Sequence, residues 1–237
     1  MVSGRFEETW HSRYERWANQ HDAEHHIAGW SEQGLARRLA LVLLALGDTD
    51  LKRGSKVLDL GAGPGTYTRA LTARGHRCLG LDYSLNVVKI AKSKDTNGDY
   101  LQGEAYHLPF KSGSFDAVLC VGVLQSLESP KEAILEIRRI LKPRGYLLLD
   151  GLNSLFWLHS VRNWRARING AEKRMSYYDP FEVVKEMRQS GLDQAQIRWL
   201  SMPQIFQTFL GENGKYNGHW VARLFGYAFL ILARNQA

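Results

Sequence analysis

The sequence predicts an α/β fold: a doubly wound, mostly parallel sheet of seven strands, with helical lid segments before and after it. Three observations carry this. From Lys56 onward, short and almost wholly apolar runs alternate with helical stretches, the pattern of strands buried on both faces. The first run leads straight into a glycine-rich turn that opens a helix. Acidic and small residues then gather at the carboxyl ends of the runs, where such sheets bind ligands.

Taken in order, residues 5–47 place apolar and aromatic side chains at three- and four-residue steps, Trp10, Tyr14 and Trp17, then Leu35, Leu39 and Leu43. That spacing predicts helix, ended by Gly47-Asp48. Val57 to Leu60 predicts the first strand and Tyr67 to Arg74 the helix after it. Arg77 to Leu81 predicts a second strand ending in Asp82, followed by a helix over Asn86 to Lys94. Tyr100 to Gly103 reads as a short third strand and Phe115 to Val121 as a fourth. Pro130 to Leu141 predicts a helix with proline at its start, where a missing N–H costs nothing. Lys142 to Gly145 breaks it, and Tyr146 to Asp150 is the fifth strand.

Beyond Asp150 the rhythm loosens. Ser154 to Ile168 predicts a basic amphipathic helix with Leu155, Leu158, Val161 and Trp164 on one side. Pro180 to Ser190 predicts another helix, closed by Gly191. Gln196 to Leu200 and Tyr227 to Ala233 read as the last two strands. The stretch between them, Ser201 to Gly226, is too long for a hairpin and is expected to lie over the pocket. The division is a helical lid over 1–50, a ligand-binding core over 51–150, and acceptor-pocket helices with the last two strands over 151–237, all within one domain.

Composition narrows the class. With 44% hydrophobic and 23% charged residues the chain is expected to fold throughout. The longest apolar runs, Leu39 to Leu46 and Leu224 to Ala233, fall short of the ~20 residues of a membrane span. A polar start carrying Glu7 and Glu8 does not fit a secretory signal. Cys78 and Cys120 each sit in an apolar run, which predicts buried thiols in a reducing compartment, hence a cytoplasmic protein. His21, His25 and His26 have helical spacing, but no third and fourth ligand accompanies them, and no metal site is expected. The net charge of +7 is uneven. Residues 1–50 hold five Lys/Arg against eight Asp/Glu, so the rest is strongly basic. A basic body suits an anionic acceptor, a membrane surface or nucleic acid, and equally a solvated surface.

The motif with most chemical content is Asp59-Leu60-Gly61-Ala62-Gly63-Pro64-Gly65. Its Gly-x-Gly-x-Gly spacing differs from the Gly-x-Gly-x-x-Gly of pyrophosphate turns, and an acid stands two residues before the first glycine. Asp82, ending the next strand 23 residues after Asp59, suits a carboxylate that accepts two ribose hydroxyl protons. Further on come Gly103-Glu104-Ala105, Leu108-Pro109-Phe110, Ser114-Phe115-Asp116-Ala117-Val118 and Leu141-Lys142-Pro143-Arg144-Gly145. With Val57 to Gly65 and Gly80 to Ser84, this ordered set resembles the class I S-adenosylmethionine (SAM)-dependent methyltransferases. Within them it is most similar to the branch of quinone, sterol and natural-product enzymes.

The resemblance spans about residues 55–150 and implies a Rossmann-like methyltransferase fold, SAM as cofactor and S-adenosylhomocysteine as its product. It implies that Gly61, Ala62, Gly63 and Gly65 form the turn beneath the methionine part, with Asp59 reaching the cofactor's ammonium. Asp82 would hold the ribose and Tyr83 pack beside the adenine. Glu104, where the family usually has Asp, would accept from the adenine amino group, with Ala105 adding a backbone contact. Val121 would line the pocket near the methyl. Arg144 departs from the family's usual Gly.

Methyl transfer is an in-line displacement that needs positioning in a dry pocket, and a base only where the nucleophile must lose a proton. His107, Tyr14 and His219 are the candidates for acting on the acceptor. Residues 121–127 lack the carboxylates of a magnesium-dependent site. Aromatic residues concentrate outside the core, from Trp10 and Trp30 to Phe206 and Trp220, and point to a small apolar or aromatic acceptor, methylated on O or N rather than C. The alternatives are a tRNA base, for which Arg162, Arg165, Arg167, Lys173 and Arg174 offer a phosphate stripe, and a lipid or quinone met at the membrane surface through 154–168. The protein is expected to act as a monomer or homodimer. A binding or scaffold module without activity is disfavoured by the intact set Asp59, Gly61, Gly63, Gly65, Asp82 and Glu104.

Overall fold

The strands of the computed structural model are Lys56–Leu60 (β1), Arg77–Asp82 (β2), Asp99–Gln102 (β3), Phe115–Cys120 (β4), Leu141–Leu152 (β5), Leu192–Leu200 (β6) and Ala228–Asn235 (β7). The helices are Arg5–Gln20 (α1), Glu24–Ile27 (α2), Glu32–Gly47 (α3), Thr66–Thr72 (α4), Leu85–Lys94 (α5), Pro130–Ile140 (α6) and Pro180–Gln189 (α7). The structure describes residues 5–20, 23–27, 30–159, 161, 175–200 and 226–236, with the side chains of 5–7 and 17–20 excepted. The seven strands form one sheet in the order β3-β2-β1-β4-β5-β7-β6. β1 to β5 pair in parallel, while β7 runs antiparallel to both β5 and β6. This is the predicted Rossmann-like methyltransferase fold.

The apolar runs are strands because both faces of the sheet are covered. Val57, Leu58 and Leu60 of β1 are all buried, with Leu58 and Leu60 packing to one side and Val57 to the other. On the first side α6 inserts Ile134 and Ile137, and α7 inserts Met187. On the second side α3 contributes Leu35, Val42 and Ala45. Each fully buried Leu, Ile or Val contributes roughly 2 kcal/mol relative to exposure. Helix starts are fixed locally. Ser31 and Ser84 accept from the backbone N–H three residues on, at 3.1 and 3.2 Å, and Asp179 caps α7 ahead of Pro180.

Three boundaries differ from expectation. The predicted break over Lys142 to Gly145 is part of β5, which starts directly after α6 with Leu141 opposite Phe115; the register then shifts before Ala117 meets Tyr146. Arg144 sits inside that irregularity at φ +64°, a left-handed conformation that glycine adopts more readily than arginine. β6 begins at Leu192, earlier than predicted, because a bulge between Asp193 and Gln196, with Gln194 at φ +55°, hides the alternation. The N-terminal helical region is three helices. Of the predicted helix over Ser154 to Ile168, residues 157–159 and 161 are helical; 160 and 162–168 lie outside the described residues, as do 201–225 of the expected insertion. Among the described residues, no helix is long and apolar enough to cross a membrane.

Candidate active site

A cavity of about 890 Å³ opens at the carboxyl ends of β1, β2 and β4. Its size suits a drug-sized ligand together with a second small molecule. Most of the predicted cofactor residues line it: Gly61, Ala62, Gly63, Asp82, Tyr83, Glu104, Ala105 and Val121. His107 and Tyr14, the predicted acceptor-side residues, line it as well. Asp59 and Gly65 stand behind that wall, and His219 lies outside the described residues, so its predicted role stays an expectation.

The glycine turn is built by β1 stopping against its neighbour. Both Gly61 and Ala62 donate backbone N–H groups to the Leu81 carbonyl, at 2.7 and 3.0 Å, which bends the chain back across the end of β2. Gly61 has φ +74°, and a Cβ there would fall 2.1 Å from Val123 Cγ2, so no side chain fits. Gly63 also has positive φ, but a Cβ there would meet nothing within 4 Å: this side of the turn is kept open toward the cavity.

Asp82 is held from two sides. Gly63 N–H donates to Oδ2 at 2.9 Å and Ser84 N–H to Oδ1 at 3.0 Å. The Tyr83 N–H adds a third backbone hydrogen bond, and the acceptor sites of a carboxylate still leave room for a ligand hydroxyl. Burial raises the Asp82 pKa against these bonds, and the nearby Glu15 raises it further.

Asp59 is 1% exposed and spends Oδ2 on Thr68, accepting from its N–H at 3.0 Å and its hydroxyl at 2.7 Å. Its Oδ1 has no hydrogen-bond partner among the described residues. Burial pushes its pKa up to about 6. A carboxyl raised in this way favours the folded state most below pH ~4, and that contribution is lost as pH rises through about 6. A shift of this size corresponds to about 3 kcal/mol. Asp59→Asn is therefore expected to flatten the fall in unfolding free energy between pH 4 and 6.5, read by urea titrations across that range. Parallel curves for variant and wild type would refute the assignment.

Helix α1 forms the outer wall. Trp10 and Tyr14 stack at 5.5 Å between ring centroids, and Tyr14 meets Tyr83 edge-on at 6.0 Å. The Tyr83 hydroxyl donates to the Trp10 carbonyl at 3.0 Å, so this side chain is tied to α1. Glu15 accepts from the Ser84 hydroxyl and from Asn86 Nδ2, docking α1 on the start of α5. Burial and the Asp82 carboxylate hold the Tyr14 phenol far above its ordinary pKa, so it is a neutral group. His107 is exposed at the rim and pairs with Glu104 in a short backbone bridge. Tyr106 beside it accepts from the N–H groups of Glu128 and Ser129, at 3.2 and 3.3 Å, fastening the β3 loop to the approach of α6.

Sequence reasoning missed one structural unit. Arg38 of α3 and Asp150 of β5 form a buried ion pair, 6% and 1% exposed. Asp150 Oδ1 also accepts from Gly122 N–H at 2.6 Å, and the Arg38 guanidinium stacks 3.8 Å above the Trp30 ring. Trp30 and Gly122 both line the cavity, so the pair braces its wall beside Val121. The signal was present: Arg38 falls on the i, i+3, i+7 face of α3 with Leu35, Val42 and Ala45.

Comparison with known proteins gives concordant results. A family model described as a methyltransferase domain matches residues 58–149. A demethylmenaquinone methyltransferase of Paenarthrobacter aurescens is 37% identical over 158 residues, covering 64% of this chain and 62% of that protein. One of Corynebacterium urealyticum is 34% identical over 161 residues, covering 60% of this chain and 69% of that protein. The match thus spans less than two thirds of the first of these relatives, and 40% of two others of the same kind. Among solved structures, a SAM-dependent methyltransferase of Thermotoga maritima superposes with a TM-score of 0.67 at 19% identity, over 96% of this chain and 99% of that one, a likeness of fold.

Proposed function

Because this chain belongs to the class I SAM-dependent methyltransferases, we propose that it transfers a methyl group from SAM to a small apolar or aromatic acceptor, with quinols the first class to test. The observation that carries the reading is Asp82: a buried strand-end carboxylate, fixed by Gly63 and Ser84, on the wall of a cavity floored by a glycine turn.

When bound, SAM supplies an electrophilic methyl on a sulfonium. The chain's own residues do the rest. Asp82 accepts the ribose hydroxyls, Glu104 accepts the adenine amino group, and Gly63 leaves the turn open beneath the methionine part. Asp59, whose Oδ1 has no partner among the described residues, serves the ammonium directly or by way of water. Trp10 and Tyr14 exclude water, and a dry, positioned encounter is the main acceleration such a transfer needs. Trp30, Leu127, Val121 and Val123 give the remaining wall an apolar character that suits an aromatic ring. His107, at the rim, carries the imidazole placed to take a proton from a phenolic acceptor.

The quinone-modifying relatives and the apolar wall agree on this acceptor class. The proposed setting is the cytoplasm, where the buried thiols Cys78 and Cys120 stay reduced. Exposed Trp157, Leu158 and Val161 favour acceptor capture at a membrane surface over a tRNA substrate. The test is incubation with methyl-labelled SAM and a panel of 2-prenyl-1,4-naphthoquinol, a catechol and bulk tRNA, with mass spectrometry of the products. Label in the naphthoquinol is the expected result, and label in tRNA alone would overturn the acceptor assignment.

A further inference from the structure

The motif Leu108-Pro109-Phe110 does not itself line the cavity. Its three residues make a tight turn in the loop after β3, with Phe110 N–H donating to the Leu108 carbonyl at 2.8 Å across Pro109. Helix α6 grips that turn. Arg139 Nη2 donates to the Leu108 carbonyl at 2.9 Å and Nη1 to the Phe110 carbonyl at 2.7 Å. Glu136, three residues earlier on the helix, accepts from Leu108 N–H at 3.0 Å. The two side chains also lock each other in a two-pronged pair, Nε to Oε1 and Nη2 to Oε2, both at 2.8 Å.

Stability alone does not call for this clasp. Glu136 and Arg139 are 24% and 35% exposed, and an ion pair that open to water contributes little. Leu108 is anchored without them, 4% exposed in the same core as Ile134 and Ile137. What the clasp does fix is the course of the loop. Glu104, Ala105, Tyr106 and His107, which run up to the turn, all line the cavity. Where they begin, Gly103 N–H is tied to the Asp82 carbonyl at 3.0 Å, and midway Tyr106 is fastened to Glu128 and Ser129. The α6 clasp is the far fixed point. A short span held at its start, middle and end leaves the backbone little freedom to misplace the Glu104 carboxylate, whose own side chain is exposed.

We infer that Glu136 and Arg139 are positioning residues for adenine recognition: they touch no ligand, and act through the Leu108-Pro109-Phe110 turn to aim Glu104 at the adenine amino group. This rests on the cofactor reading above. Loss of the clasp then costs discrimination between bases more than it costs stability.

The test is calorimetric titration of wild type, Arg139→Met and Arg138→Met with two probes: S-adenosylhomocysteine, and S-inosylhomocysteine, which carries an oxo group where adenine has its amino group. Wild type is expected to prefer the adenosyl probe about 10-fold, the worth of one hydrogen bond to a charged acceptor. In Arg139→Met the preference should fall to about twofold, with the melting temperature lowered by no more than about 3 °C, as for a partly exposed pair. Arg138→Met removes the same charge from the same helix, but Arg138 lies against Gly191 and not on the loop, so its preference should match wild type. A preference still above about fivefold in Arg139→Met would overturn the inference and leave the clasp a structural brace. An equal loss in Arg138→Met would overturn it as a general charge effect, and a larger fall in melting temperature as damage to α6. Wild type that binds neither probe ends the cofactor reading, and wild type that binds both equally ends the Glu104 assignment alone; either result takes the inference with it.

Discussion

Replacing Asp82 by alanine is expected to lower affinity for S-adenosylhomocysteine at least 100-fold in calorimetric titration, with the fold retained. Two ribose hydroxyls donating to one carboxylate make two charge-assisted bonds, each worth roughly 1.5–3 kcal/mol. The loss has a second part. Asp82 also fixes the N–H groups of Gly63 and Ser84, so its removal frees both the glycine turn and the start of α5. Asp82→Asn is expected to fall between, because the amide keeps one acceptor oxygen and turns the other into a donor. Binding by the alanine variant within tenfold of wild type would remove the main support for the cofactor site.

The second large effect concerns stability. Arg38→Met is expected to lower the unfolding free energy by about 3–5 kcal/mol, the typical cost of leaving one member of a buried ion pair alone. Asp150 would keep only the Gly122 N–H, in a place where burial already raises its pKa. Trp30 would lose the guanidinium beneath its ring. The double variant Arg38→Met, Asp150→Leu should recover much of the loss, since well-packed apolar groups often replace a buried pair without penalty. Urea unfolding of the single and double variants measures both. A single-variant loss under 1 kcal/mol would show that the pair contributes little.

These two sites differ in how far the sequence announced them. Asp82 was legible because β2 is a short apolar run with one acid at its end, and because the glycine turn is a local feature of seven residues. The existence of β1 to β5 along the chain was legible for the same reason. Arg38 and Asp150 are 112 residues apart, and nothing local in either segment names the other. Glu15, which ties α1 to Ser84 and Asn86, reads in sequence as one more charge on a polar helix. Boundaries failed where backbone irregularity broke the periodicity. Asp193 and Gln194 are polar residues in a bulge, and Lys142 to Arg144 carry a proline and a left-handed residue inside β5. Hydrophobic alternation does not encode such bulges.

The place of β7 in the sheet governs how the chain must assemble. β5 and β6 come earlier in sequence yet are joined only through β7, which lies between them. During synthesis the β3-β2-β1-β4-β5 block can form from local crossovers, but β6 emerges with no ladder to join. The free edge of β5, carrying the apolar stretch Leu147 to Leu149, waits open until residues 228–235 arrive. Pairing at such sequence separation is slow, and an open apolar edge invites association with other chains in the interval. The vulnerable moment in this protein's life is thus the delay before its last strand wedges into place.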